Sequence, residues 1–182
     1  MDEHRPSTLR GIFRHYLKEL IYGANDGVIT TFAVVAGVTG ANLPVRIIIS
    51  LGIANLVADG FSMAAGNYLS LKSEEDALRF EGRASIEPLP LRHAIATFMA
   101  FVGAGAIPLV AYLLPIMNQF VLSTLLAGAT LVGIGSARTF VNGRPWYREG
   151  FEMLLIGAIA ALIAYLIGGL IERQLLSHGA TR

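Results

Sequence analysis

Charged residues in this 182-residue chain fall into clusters and leave five long apolar stretches between them. A stretch of about 20 apolar residues, at about 1.5 Å per residue, crosses a hydrocarbon core about 30 Å thick. Only 15% of the residues are charged, against about a quarter in soluble domains. The pattern predicts an all-α polytopic membrane protein with five transmembrane helices. The spans fit residues 21–42, 45–71, 93–114, 120–141 and 150–171, so that 21–172 forms one transmembrane unit.

Residues 1–20 precede the first span as a short amphipathic helix. Leu9, Ile12, Phe13, Tyr16, Leu17 and Leu20 repeat at helical spacing, with Arg10, Arg14 and Lys18 opposite. Ser7 can cap it, and the first six residues read as disordered. A basic amphipathic helix leading straight into a span reads as lying in the membrane interface. Asn42-Leu43-Pro44 is a tight turn, and Asn142-Gly143-Arg144-Pro145 is a second strong turn signal. Span two is longer than the bilayer needs and can run on into solvent until Gly82, Pro88 and Pro90 break it. Pro108 is expected to kink span three. Residues 173–182 form a short tail. Lys and Arg concentrate in the N-terminal arm and in the 72–92 and 138–148 loops, which places the N-terminus in the cytoplasm and the C-terminus outside.

Span two carries a polar stripe. Residues four apart lie on nearly the same helix face, so Asn55, Asp59, Met63 and Asn67 line up. Amides alone could serve as packing groups that bond across helices. A carboxylate inside a span is a functional hypothesis by default. Span one carries Asn25 and Asp26. Counting from the span ends, Asp26 lies about 8 Å and Asp59 about 9 Å from the cytoplasmic face. Two carboxylates from antiparallel helices would then share one depth. Left bare, they repel. A divalent cation removes that penalty, and protons replace it when the metal leaves. The competing reading has each aspartate bonding backbone at a broken helix.

Met63, alone, reads as packing. Beside carboxylate and amide oxygens its thioether is a soft ligand that favours Fe²⁺ or a later transition metal over Mg²⁺ or Ca²⁺. Glu74 and Glu75, with Asp76, are either a solvated face or an electrostatic funnel for cations. Glu149, Glu152 and Met153 open span five on the same side and are secondary ligand candidates, although acids also suit a helix N-terminus. In span one Gly23 and Gly27 are spaced as GxxxG, and Ala33 and Gly37 continue the small-residue pattern. That spacing marks a helix–helix contact or a dimer seam.

A net charge of +1 gives no case for nucleic acid, and the absence of cysteine removes disulfides and thiolate chemistry. The N-terminus does not resemble a cleavable signal peptide. His4, His15, His93 and His178 are scattered and form no metal-ligand spacing. No Walker loop, HExxH or GxSxG is present, and nothing points to an enzyme or to a permanently bound cofactor.

Tyr22-Gly23-Ala24-Asn25-Asp26-Gly27, followed by Phe32-Ala33-Val34-Val35-Ala36-Gly37, resembles the first span of the vacuolar iron transporter family. Ser62-Met63-Ala64-Ala65-Gly66-Asn67-Tyr68-Leu69-Ser70 resembles its second-span signature. Ala96-Thr97-Phe98, Ile107-Pro108-Leu109, Ser136-Ala137-Arg138 and Gly143-Arg144 continue the likeness in order. The resemblance implies a five-span protomer, a homodimer with the pathway between subunits, and export of Fe²⁺, often also Mn²⁺ or Co²⁺, in exchange for protons. It makes Asp26 the translocation aspartate and Met63 the pathway methionine.

Two departures accompany it. Many members carry glutamate where this chain has Asn55, and here the acid stands one turn on, at Asp59. Plant and yeast-like members insert a glutamate-rich metal-binding domain between spans two and three, where this chain has only a short loop. The short loop favours a bacterial cell membrane, the inner one, over a vacuole. Two function classes therefore stand side by side: a divalent-metal transporter, and a non-transporting membrane scaffold whose small-residue faces assemble partners.

Overall fold

The computed structural model describes residues 9–83 and 89–179. Ser7, His4, Pro88 and the first six residues lie outside the described residues, as do the side chains up to residue 15 that were expected to form the amphipathic faces, and that of His178. Helices α1 (Leu9–Gly40), α2 (Val45–Phe80), α3 (Pro90–Gly105), α4 (Ile107–Val110), α5 (Gln119–Ala137), α6 (Thr139–Asn142) and α7 (Trp146–Gly179) account for nearly all of them. A 3₁₀ turn, Ala111–Leu113, follows α4. Five helical segments are long and apolar enough to cross a membrane: Tyr16–Gly40, Val45–Phe80, Pro90–Leu113, Gln119–Ala137 and Trp146–Gln174. The expected interfacial helix is not a separate element. No glycine or proline interrupts residues 12–22, and α1 runs unbroken from Leu9 through the span.

Helix ends follow local chemistry. After α1, Asn42 takes φ 56°. Asn42 N donates to Thr39 O at 3.0 Å and Leu43 N to Val38 O at 3.1 Å, the paired bonds of a Schellman motif. Pro44, with φ −67°, then starts α2. Gly82, with φ 70°, closes α2 in the same way, through Gly82 N to Arg79 O at 3.1 Å and Arg83 N to Leu78 O at 2.9 Å. Pro108 has no N–H to give, so span three breaks at Ala106 between α3 and α4. The Pro108 carbonyl accepts from the buried Ser123 hydroxyl of α5 at 2.9 Å.

Helix α1 is the centre of the bundle. It packs against α2, α3, α5 and α7, most extensively against α3. Val28, Phe32, Val35 and Val38 of α1 join Leu56 of α2, Phe101 of α3, Leu131 of α5 and Met153 of α7 in one core. Burying each such side chain contributes about 1.5–3 kcal/mol relative to water; in lipid that drive weakens, and close packing decides which helices meet. Helix α7 is the opposite case, with Leu155, Ile159, Leu162, Leu166 and Leu170 all exposed on its outer face.

Glycine allows those close approaches. A Cβ built at Gly23 would meet Thr97 O at 2.6 Å, and one at Gly105 would meet Gly27 O at 2.6 Å. A Cβ at Gly27 would run into the Phe101 carbonyl. At the other end of α1, Gly37 faces Ala164 of α7, and a Cβ at Gly168 would run into the Gly37 carbonyl. Within the protomer, Gly23 and Gly27 contact its own α3 and Gly37 its own α7, the helix–helix contact that their spacing marks. Ala33 is half-buried in the same helix.

Candidate functional site

Asp26 and Asp59 occupy equivalent places in a hairpin. Asp26 stands fourteen residues before the end of α1 at Gly40, and Asp59 fourteen residues after the start of α2 at Val45. At about 1.5 Å per residue both lie about 21 Å from the turn. Each carboxylate lies within the electrostatic range of the other. Asp26 is half-buried and Asp59 is exposed.

The exposure of Asp59 follows from the face it occupies. Ile48, Gly52, Leu56 and Gly60 form the buried stripe of α2, where Gly52 fits under Leu109 and Gly60 under Phe98 and Phe101. The carboxylate projects about 100° away from Gly60, together with Ala58 and Ser62 on the open side. The backbone beside Asp26 is tied by Thr30, whose hydroxyl donates to the Asp26 carbonyl at 2.8 Å.

The neighbouring amides differ in role. Asn25 Oδ1 and Asn55 Nδ2 are buried with no hydrogen-bond partner, a costly arrangement unless another group completes it. Asn67 is already engaged, its Nδ2 donating to Thr97 Oγ1 of α3 at 2.8 Å. Met63 is half-buried and packs at the edge of the core.

The remaining candidates lie apart from this pair in character. Glu74 and Asp76 are exposed, and Glu75 is 5% exposed. Met153 is a core side chain and Glu152 is exposed. Glu149 is 1% exposed and held by arginine: Oε2 lies 3.2 Å from Arg138 Nε, and Oε1 lies 3.7 Å from Arg144 Nη1. In the protomer its carboxylate serves as an anchor between α5, the 143–145 turn and α7.

That anchor gives a stability prediction. Glu149→Gln leaves the partly buried Arg138 charge without its partner, and breaking a buried pair costs about 3–5 kcal/mol. Arg144 is 68% exposed, and Arg144→Ala should cost only about 0–1 kcal/mol. Thermal unfolding of the two variants in detergent separates these effects; equal shifts would show that Glu149 is not held mainly by Arg138.

Among the described residues, no group of three or more His, Asp or Glu side chains could hold a metal ion. Among those residues the site therefore comprises two acids, Asp26 and Asp59, on neighbouring helices, with amides and one thioether along the same helices. Sequence reasoning named Thr97 only as part of the family likeness and did not single out Glu19. Glu19 Oε1 lies 3.0 Å from His93 Nδ1 in a buried pair between α1 and α3. The signal was present, because Glu19 stands seven residues before Asp26, two turns back on the same face.

Comparison with known proteins gives a consistent result. The chain is 29% identical over 165 residues to vacuolar iron transporter homolog 1 of Oryza sativa subsp. japonica, covering 82% of this chain and 71% of that protein. It is 27% identical over 215 residues to vacuolar iron transporter 1 of Arabidopsis thaliana, covering 86% of each. That alignment is longer than the whole chain, so the Arabidopsis protein carries residues inside it that have no counterpart here. A vacuolar iron transporter of Toxoplasma gondii is 41% identical over 66 residues, which is 36% of this chain and 22% of that protein. Residues 17–89 and 78–169 match the VIT family, from the span that holds Asp26 to the span that follows Glu149, and the chain belongs to that family.

Proposed function

We propose that this chain moves a divalent transition metal, Fe²⁺ and also Mn²⁺, out of the cytosol in exchange for protons. It works as a homodimer in the bilayer, with the N-terminus in the cytoplasm, the C-terminus outside, and the path between copies. The observation that carries this reading is the Asp26–Asp59 pair: two acids at one depth in one hairpin, with Asp59 on the open face of α2. An acid inside a span is costly to leave against lipid, so that face needs a cover. A second copy supplies one, and it doubles the number of carboxylates around a shared axis.

Metal and protons alternate on such a site. With the cation bound, both carboxylates are ionised and their repulsion is offset. When the cation leaves, protons take its place. Met63, one turn from Asp59, leans the donor set toward softer dications. The names of the relatives support iron as cargo, and transport rather than catalysis. The bacterial cell membrane remains the favoured location because the loop before α3 is short. Against the scaffold alternative, Gly23 and Gly27, the residues it relied on most, already contact α3 inside the protomer.

The test is a metal panel in proteoliposomes with and without a pH gradient. Fe²⁺ (kept anaerobic) and Mn²⁺ should enter, faster with protons flowing the other way, while Mg²⁺ and Ca²⁺ should enter little. Metal entry equal to that of empty liposomes defeats the transport reading. Entry indifferent to the gradient defeats the exchange.

A further inference from the structure

We propose that Glu19 and His93 form a proton-binding site separate from the metal site, and that its proton occupancy sets how readily a dication reaches Asp26 and Asp59. The inference rests on the exchange reading above and deepens it. Glu19 Oε1 lies 3.0 Å from His93 Nδ1, and the two side chains are only 12% and 6% exposed. The other carboxylate oxygen, Oε2, is buried with no hydrogen-bond partner. The Tyr16 ring lies 4.6 Å from the imidazole.

The pair belongs to a polar layer that joins three helices. Thr97 Oγ1 donates to the His93 carbonyl at 2.9 Å and accepts from Asn67 of α2 at 2.8 Å. Helices α1 and α3 run parallel with a fixed register, so Glu19 meets His93, Gly23 meets Thr97 and Gly27 meets Phe101. Along α1, Glu19 is seven residues from Asp26, about 10.5 Å away and within about 20° of the same face. Between these two layers the Gly23–Thr97 contact is closed. The pair therefore acts on the aspartates through its charge and not by direct contact.

Other charged groups surround this layer. Lys18 and Arg92 are its exposed sequence neighbours. From α2, Lys72 and the buried Glu75 line a cavity of about 300 Å³ beside Leu89, Pro90 and Leu91, a turn before His93. Asp76 and Arg79 line the same cavity.

The physical argument is one of charge. A buried ion pair is weak evidence for stability, because apolar residues of similar shape can serve as well. Its distinctive property is that a carboxylate and an imidazole facing each other can hold or release a proton. With one proton shared, the pair is carboxylate and imidazolium, with net charge zero. When that proton leaves to water at the α1 N-terminal end, carboxylate and neutral imidazole remain, with net charge minus one. That charge stands two turns from Asp26 and draws a dication toward it. Return of the proton removes the pull.

Full-length protein in proteoliposomes tests this, with Mn²⁺ uptake read at several pH gradients. The variants are E19Q, H93Q and the apolar pair Glu19→Leu with His93→Leu. The double variant leaves no orphaned charge, so it keeps the test open should a single variant fail to fold. In the parent protein the gradient should accelerate uptake about tenfold, within the usual range of coupling between sites. The variants should lose most of the acceleration, because none of them retains a pair whose charge changes with its proton. Variants that retain the full acceleration overturn the proposal and leave the exchange reading standing. Variants that lose uptake equally with and without a gradient assign the pair a structural role, which also overturns it. A parent protein indifferent to the gradient removes both readings.

Discussion

Asp26→Asn and Asp59→Asn should each lower metal flux in proteoliposomes by about two orders of magnitude or more, equivalent to about 2.7 kcal/mol or more at 25 °C. The amide keeps the shape and hydrogen-bonding reach of the acid and removes only the charge. In a site walled by low-dielectric protein, the attraction between a carboxylate and a dication is far larger than in water. Two acids within range of one another should also act as a unit, so the double variant should be scarcely worse than either single one. Size-exclusion profiles should be unchanged, because neither side chain lies in the apolar core. Flux that persists at the parent level in both variants would remove these residues from the pathway.

The second large effect concerns packing at a distance from the aspartates. Gly168→Ala places a methyl group against the Gly37 carbonyl, where backbone meets backbone and neither helix can yield cheaply. Overpacking of this kind costs about 1–3 kcal/mol. Gly133→Ala on α5 is the matched comparison, because nothing lies within 4 Å of the new methyl group. A helix-interior glycine is about 0.5–1 kcal/mol worse than alanine, so that change should be neutral or stabilising. Thermal unfolding in detergent, followed by the fluorescence of Trp146, reads both. Equal melting temperatures would mean that α1 and α7 approach less closely than the structure has them.

Apolar run length and turn chemistry made the fold legible in the sequence. The five spans, the turn at Pro44 and the break near Pro108 each depend on local residues. The merging of the amphipathic segment into α1 was less legible, because an interfacial helix and a continuous helix share the same periodicity. Small-residue spacing shows that a helix face can be approached closely and not which helix approaches it. That Gly27 meets α3 and Gly37 meets α7 depends on the tertiary arrangement. The same limit hid the partner of Glu149 and the pairing of Glu19 with His93, whose members lie far apart in the chain. The common depth of Asp26 and Asp59 could be estimated because a short turn fixes two antiparallel arms against each other.

That turn makes the α1–α2 hairpin a ruler folded at its midpoint. One residue added to either arm, between an aspartate and residues 41–44, would slide that carboxylate about 1.5 Å and swing it about 100°. Length can change freely only outside the measured part, and the segment following Phe80 is such a place. An insertion there would leave the alignment of the acids undisturbed.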